Sequence, residues 1–177
     1  MTSTDNRPTS PGDTPAPDCA RCGPSPRTFL VLVDDSEEMH AALAYACLRA
    51  RIADGQVALL RVIEPPAIQS FAFIRKAFER ETLEEAGQLL QRMAGEVNRR
   101  SGHIPVLYVR EGDTAEELVS LIRDEPAISV LVLAVGTGKR GPGPLVSAIS
   151  QGLSTRLGVP VTLVPGTLSD EDIERMG

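Results

Sequence analysis

The sequence predicts an α/β fold: a parallel sheet of five strands with helices on both faces. Three observations predict it. Five short apolar runs rich in β-branched residues alternate with four stretches of helical character, the order that builds parallel βαβ units. The most apolar of these runs, Ala127–Val135, does not alternate between apolar and polar, as expected of a strand covered on both faces. Directly after it comes Val135–Ser147, VGTGKRGPGPLVS, a glycine- and proline-rich loop of the kind that joins a buried strand to a helix.

Bulk properties bound the rest. A chain of 177 residues holds one domain with a core, with or without a tail, and its composition is 42% hydrophobic and 24% charged. Aromatics are 3%, so the core must be built from Val, Leu, Ile and Ala. A formal charge of −6 argues against nonspecific nucleic-acid binding. No apolar run reaches the ~18 residues of a membrane span. The opening residues lack the layout of an export signal, so the expected location is cytoplasmic.

Residues 1–26 are rich in Pro, Ser, Thr and Asp and are expected to be a disordered tail. Cys19 and Cys22 there form half of a zinc or redox motif, without the further Cys or His pair that four zinc ligands require. The first strand is expected at Thr28–Val33, leading to Asp34-Asp35-Ser36, with Ser36 as N-cap of a helix to Ala53. Leu43, Ala46, Cys47 and Ala50 mark that helix's apolar stripe. Gln56–Ile63 reads as the second strand. The spacing of Phe71, Ile74, Phe78, Ala86, Leu90, Met93 and Val97 predicts a long helix from Phe71 to Arg100.

A third strand is expected at Ile104–Val109. Asp113-Thr114-Ala115-Glu116 then has the spacing of a capping box opening a helix that Pro126 ends. The fourth strand is the central apolar run. Pro144 suits the first position of the next helix, along which Leu145, Ile149, Leu153 and Leu157 fall on one side. Val159–Val164 is the fifth strand, with Pro160 pointing to a sheet edge or a strand start. The acidic segment 167–177 is expected to form one short helical turn or to fray.

The loop admits two readings. Its glycines expose backbone amides, a helix start follows, and Lys139 and Arg140 add positive charge, which suits a phosphate. Equally, its glycines serve a tight turn and nothing more. A Walker A loop is excluded, since Leu133 and Arg140 stand where that motif needs Gly and a hydroxyl residue.

Taken together, FLVLVDDSEEMHAALAYA, QVALLRVIEP, REGDTAEELVSLI and AVGTGKRGPGPLVSAISQGLSTRLGVPVTLVP resemble the universal stress protein family over residues 27–166. The resemblance implies strand order 3-2-1-4-5 in a Rossmann-like, adenine nucleotide α-hydrolase-like arrangement, with a homodimer through strand 159–164. It implies a cytoplasmic sensor or adaptor that holds ATP or AMP, with Mg as a possible companion, beside the first and fourth strands. Asp34 falls on the family's aspartate, Val57 on its second-strand adenine contact, and Gly136 on the first glycine of its loop. Gly138, Lys139, Arg140, Gly141 and Ser147 complete the expected ligand set, as a variant anion loop.

The chain departs from the family's pattern at three places. Lys139 stands where the loop's second glycine belongs, Ser147-Ala148 replaces its Gly-Ser/Thr pair, and Asp35 replaces a small residue. These departures support an alternative, a nucleotide-free dimeric interaction module of the same fold. A third possibility is a redox- or metal-responsive protein using Cys19 and Cys22. No activated nucleophile is visible, so catalysis beyond weak ATP hydrolysis is not expected.

Overall fold

The structure, a computed structural model, describes residues 26–65, 72–136 and 141–177, with side chains from residue 80 onward in the long second helix. The expected tail of residues 1–26 lies almost wholly outside the described residues, with Cys19 and Cys22 in it. In order, the elements are β1 (Thr28–Leu32), α1 (Met39–Ile52), β2 (Gln56–Ile63), α2 (Ala72–Ser101), β3 (Val106–Glu111), α3 (Thr114–Asp124) and β4 (Ile128–Val135). They continue with α4 (Pro144–Ala148), a π-helical turn (Ile149–Leu153), α5 (Ser154–Leu157), β5 (Val161–Pro165) and α6 (Asp170–Glu174).

The five strands form one sheet in the order β3-β2-β1-β4-β5, and every pairing is parallel. Period-2 side-chain alternation divides the apolar runs between two cores. Val31, Val57, Leu59 and Val132 face α1 and α2, while Leu30, Ala58, Leu60 and Leu131 face α3, the π turn and α5. Both faces being covered, β1, β2 and β4 read as continuous apolar segments.

Helix α1 is buried nearly all round rather than along the expected stripe, with Met39, Ala42, Ala44 and Leu48 buried beside Leu43, Ala46, Cys47 and Ala50. The reason is α6, whose Ile173 is 1% exposed and belongs to the same core as α1 and β1. Residues 167–177 thus end in a docked helix. Ser169 caps it in a reciprocal capping box with Asp172. Two ion pairs tether it, Arg51–Glu174 at 2.7 Å and Arg100–Asp170 at 2.9 Å.

Four local expectations are corrected. Ser36 does not cap α1, which starts at Met39 behind Glu38; Ser36 instead donates its N–H and its hydroxyl to Asp34 Oδ1, at 3.0 and 2.5 Å. Asp113 does cap α3, accepting from Ala115 N and Glu116 N, but the carboxylate of Glu116 turns outward to a bidentate pair with Arg156, at 2.8 and 2.6 Å. Strand β3 starts two residues late because Pro105 has no N–H to give the ladder, leaving Ile104 exposed. Strand β5 likewise starts after Pro160, whose carbonyl accepts Leu131 N at 2.9 Å.

Candidate functional site

The chain from β1 to α1 leaves on one face of the sheet, and the chain from β4 to α4 leaves on the other. Between these divergent exits an open parallel sheet leaves a crevice past the carboxyl ends of its strands. A cleft of about 1230 Å³ lies there. Val33–Met39 form one side and Gly136 with Gly141–Leu145 another, while Arg61, Val62, Glu64 and Asp113–Ala115 close a third. Leu32, Val62, Leu133 and Val146 make its apolar wall. Concave, partly apolar sites of this kind, with a few fixed polar groups, are how proteins hold small molecules.

Hydrogen bonds fix its polar groups. Asp34 is exposed at the rim, its Oδ1 taken up by Ser36. Asp35 pairs with Arg61 at 2.7 Å, and the same guanidinium donates to the Val33 carbonyl at 3.2 Å. Arg61 therefore ties the end of β2 to the loop after β1, with its side chain 22% exposed. Glu64 accepts the Thr114 hydroxyl at 2.6 Å, joining β2 to α3. Glu38 lies behind the loop after β4, against Gly136 and Gly166; any side chain on Gly166 would run into it.

The loop's glycines mostly serve its own shape. A Cβ on Gly136 would sit 2.8 Å from the Gly141 carbonyl oxygen, so the two ends of the loop close tightly on one another. Gly141 and Gly143 have φ of 77° and 93°, which residues with side chains rarely adopt. Pro144 occupies the first turn of α4 as expected, but α4 has five residues before the π turn, where Gly152 takes φ 116°. So short a helix has little dipole to offer an anion, which removes one argument for a phosphate at its start.

The expected site residues therefore divide. Asp34, Gly136 and Gly141 come together in the cleft. Gly138, Lys139 and Arg140 lie outside the described residues. Ser147 does not line the cleft; its hydroxyl donates to the Gly143 carbonyl at 2.9 Å, one helical turn back. Val57 is corrected as well: it is 1% exposed and pairs with Phe29 at the opening end of the sheet. The residue of β2 that does reach the cleft is Val62, with Arg61 and Glu64 beside it. The rule that ligands meet strand ends rather than strand starts would have pointed to all three, and to Asp113 and Thr114 at the mouth of α3.

As a chemical device the cleft can enclose and orient a ligand. Among the described residues no group of three or more His, Cys, Asp or Glu side chains converges to hold a metal ion. Cys47 lies elsewhere, on the core-facing side of α1, where burial pushes its thiol up to about 12 and keeps it protonated. Among the described residues no helix is long and apolar enough to cross a membrane.

Comparison with known proteins agrees with this architecture. The universal stress protein UspA of Lactobacillus plantarum superposes with a TM-score of 0.63 at 20% identity, over 78% of this chain and 97% of that one. A universal stress protein solved in complex with cAMP gives 0.55 at 16%, over 80% and 98%. The universal stress protein from Archaeoglobus fulgidus in complex with dAMP gives 0.53 at 16%, over 79% and 98%. No curated protein matches the sequence. The sequence profile of the Universal stress protein family matches residues 26–165, from the residue before Arg27 to the end of β5, and the chain belongs to that family.

Proposed function

We propose that this chain binds an adenine nucleotide in the cleft past β1, β2 and β4, and works as a cytoplasmic sensor or adaptor rather than as a catalyst. The observation that carries the reading is the cleft itself: about 1230 Å³ at the divergence of the β1 and β4 exits, with an apolar wall that includes Val62, Leu133 and Val146. Relatives of the same fold solved with cAMP and with dAMP add support. The test is direct. Native protein is acid-extracted for bound nucleotides, and the emptied protein is titrated with adenosine and its phosphates. Val62→Arg should abolish binding by filling the slot. Failure of every adenine compound to bind at millimolar concentration sinks the reading.

The nucleotide-free interaction module keeps one observation in its favour. Gly136 and Ser147, two of the loop's expected phosphate contacts, have their roles accounted for by the loop's own packing and hydrogen bonding. Either reading includes a homodimer through β5. That strand lies at a sheet edge with Leu163 43% exposed, and an open edge is a template for pairing with a second copy. Light scattering at micromolar concentration should give twice the chain mass, and Leu163→Lys should halve it.

A further inference from the structure

The charge around the cleft constrains its ligand more narrowly than its shape does. Asp34, Asp35, Glu37, Glu38, Glu64 and Asp113 all line it, against Arg61 among the described residues. Lys139 and Arg140, by sequence, belong to the loop between Gly136 and Gly141; counting both, carboxylates still outnumber cations two to one. Four of the six carboxylates are held in place. Asp34 accepts from Ser36, Asp35 from Arg61, Glu64 from Thr114 and Asp113 from the first amides of α3. These hydrogen bonds hold them at the rim of the cleft. Arg61, the cation a phosphate would seek, is already engaged by Asp35 and by the Val33 carbonyl.

We propose that this cleft selects adenine ligands of low negative charge, a nucleoside or a cyclic or simple monophosphate, over the triphosphate, with the Arg61–Asp35 pair and the surrounding carboxylates as the specificity determinants. The proposal rests on the nucleotide reading above and adds the ligand's charge class. Each further phosphate brings negative charge toward these carboxylates, five of which are exposed, so the repulsion acts through solvent and is screened by salt. A phosphate cradle behaves in the opposite way, gaining affinity with phosphate number and losing it with salt.

The experiment titrates the full chain with adenosine, cyclic AMP, AMP and ATP in chelator-containing buffer, at about 0.05 M and about 1 M salt. At low salt ATP should bind about tenfold or more weaker than AMP, and AMP no tighter than cyclic AMP. At high salt, where screening acts within about 3 Å, the gap should narrow by a rise in ATP affinity. The double variant Asp35→Asn/Glu37→Gln should raise the ATP-to-adenosine affinity ratio at low salt. The proposal falls if metal-free ATP binds as tightly as AMP at low salt, or if salt weakens ATP binding. Those results leave the nucleotide reading standing, whereas failure of all four compounds to bind removes both.

Discussion

Gly136 and Ser147 carry the same expectation, contact with a phosphate, and the structure gives each a different task. Gly136 is needed because its neighbour across the loop is the Gly141 carbonyl, a backbone atom that cannot move aside. Gly136→Ala should therefore destabilise the protein by roughly 1–3 kcal/mol through overpacking, measured by urea denaturation. Ser147 forms a hydroxyl bond back to Gly143 within its own helical turn. Ser147→Ala should change stability by less than about 0.5 kcal/mol and leave adenine-ligand affinity unaltered, checked by melting and titration. A large loss of affinity in that variant would return the hydroxyl to the site. Val57 and Val62 show why such assignments are hard to make from a string of letters. Both are valines of one apolar strand, and only the direction in which β2 meets the cleft separates a core residue from a lining one.

Among the elements, α6 departs furthest from its appearance in sequence. Its one large apolar side chain, Ile173, completes the core over α1, so Ile173→Ala should cost roughly 2–5 kcal/mol and release the C-terminus before the sheet melts, as read by amide exchange. Arg100 bridges α2 to α6, hydrogen-bonding Glu96 and Asp170 together, and it holds both carboxyls below the usual carboxylate range. Their folded pKa values are lower than the unfolded ones, so the folded state binds fewer protons at these groups as pH falls through the unfolded values. The contribution is fully present above the ordinary carboxylate range, about pH 4, and is lost as pH drops through the depressed folded values. Docking of α6 should thus weaken below about pH 4, and Arg100→Met should flatten that acid dependence in exchange measurements on α6. The tie between α3 and α5, Arg156 to Glu116, is exposed to solvent at both ends and should matter far less.

For the whole molecule, the described sheet and both its cores are built without the first 25 residues, since β1 begins at Thr28 and every residue of the two cores comes later. A chain beginning at Pro26 should melt within about 2 °C of the full-length protein, a difference smaller than that of a typical core substitution. A larger drop would show that the N-terminal segment contributes to the fold. At the same scale, the salt response of ATP binding reports on the field of the whole cleft rather than on any one contact.

The sequence by itself determined the sheet. The strands are marked by short apolar runs and the helices by their periodicity, and parallel pairing follows from the alternation of the two, because burial against two layers leaves little choice of side-chain pattern. It also determined the glycine loop's position after β4, whereas the edge placement of β5 is read from the sheet order. Only the tertiary structure decided which residues share the cleft. Arg61, Glu64 and Asp113 are separated along the chain and meet there because parallel strands bring their carboxyl ends to one side. It alone decided, too, that Ser36 serves Asp34 and that an acidic C-terminal segment is a docked helix, since a hydrogen-bond partner or a covering surface is a fact of space rather than of spacing.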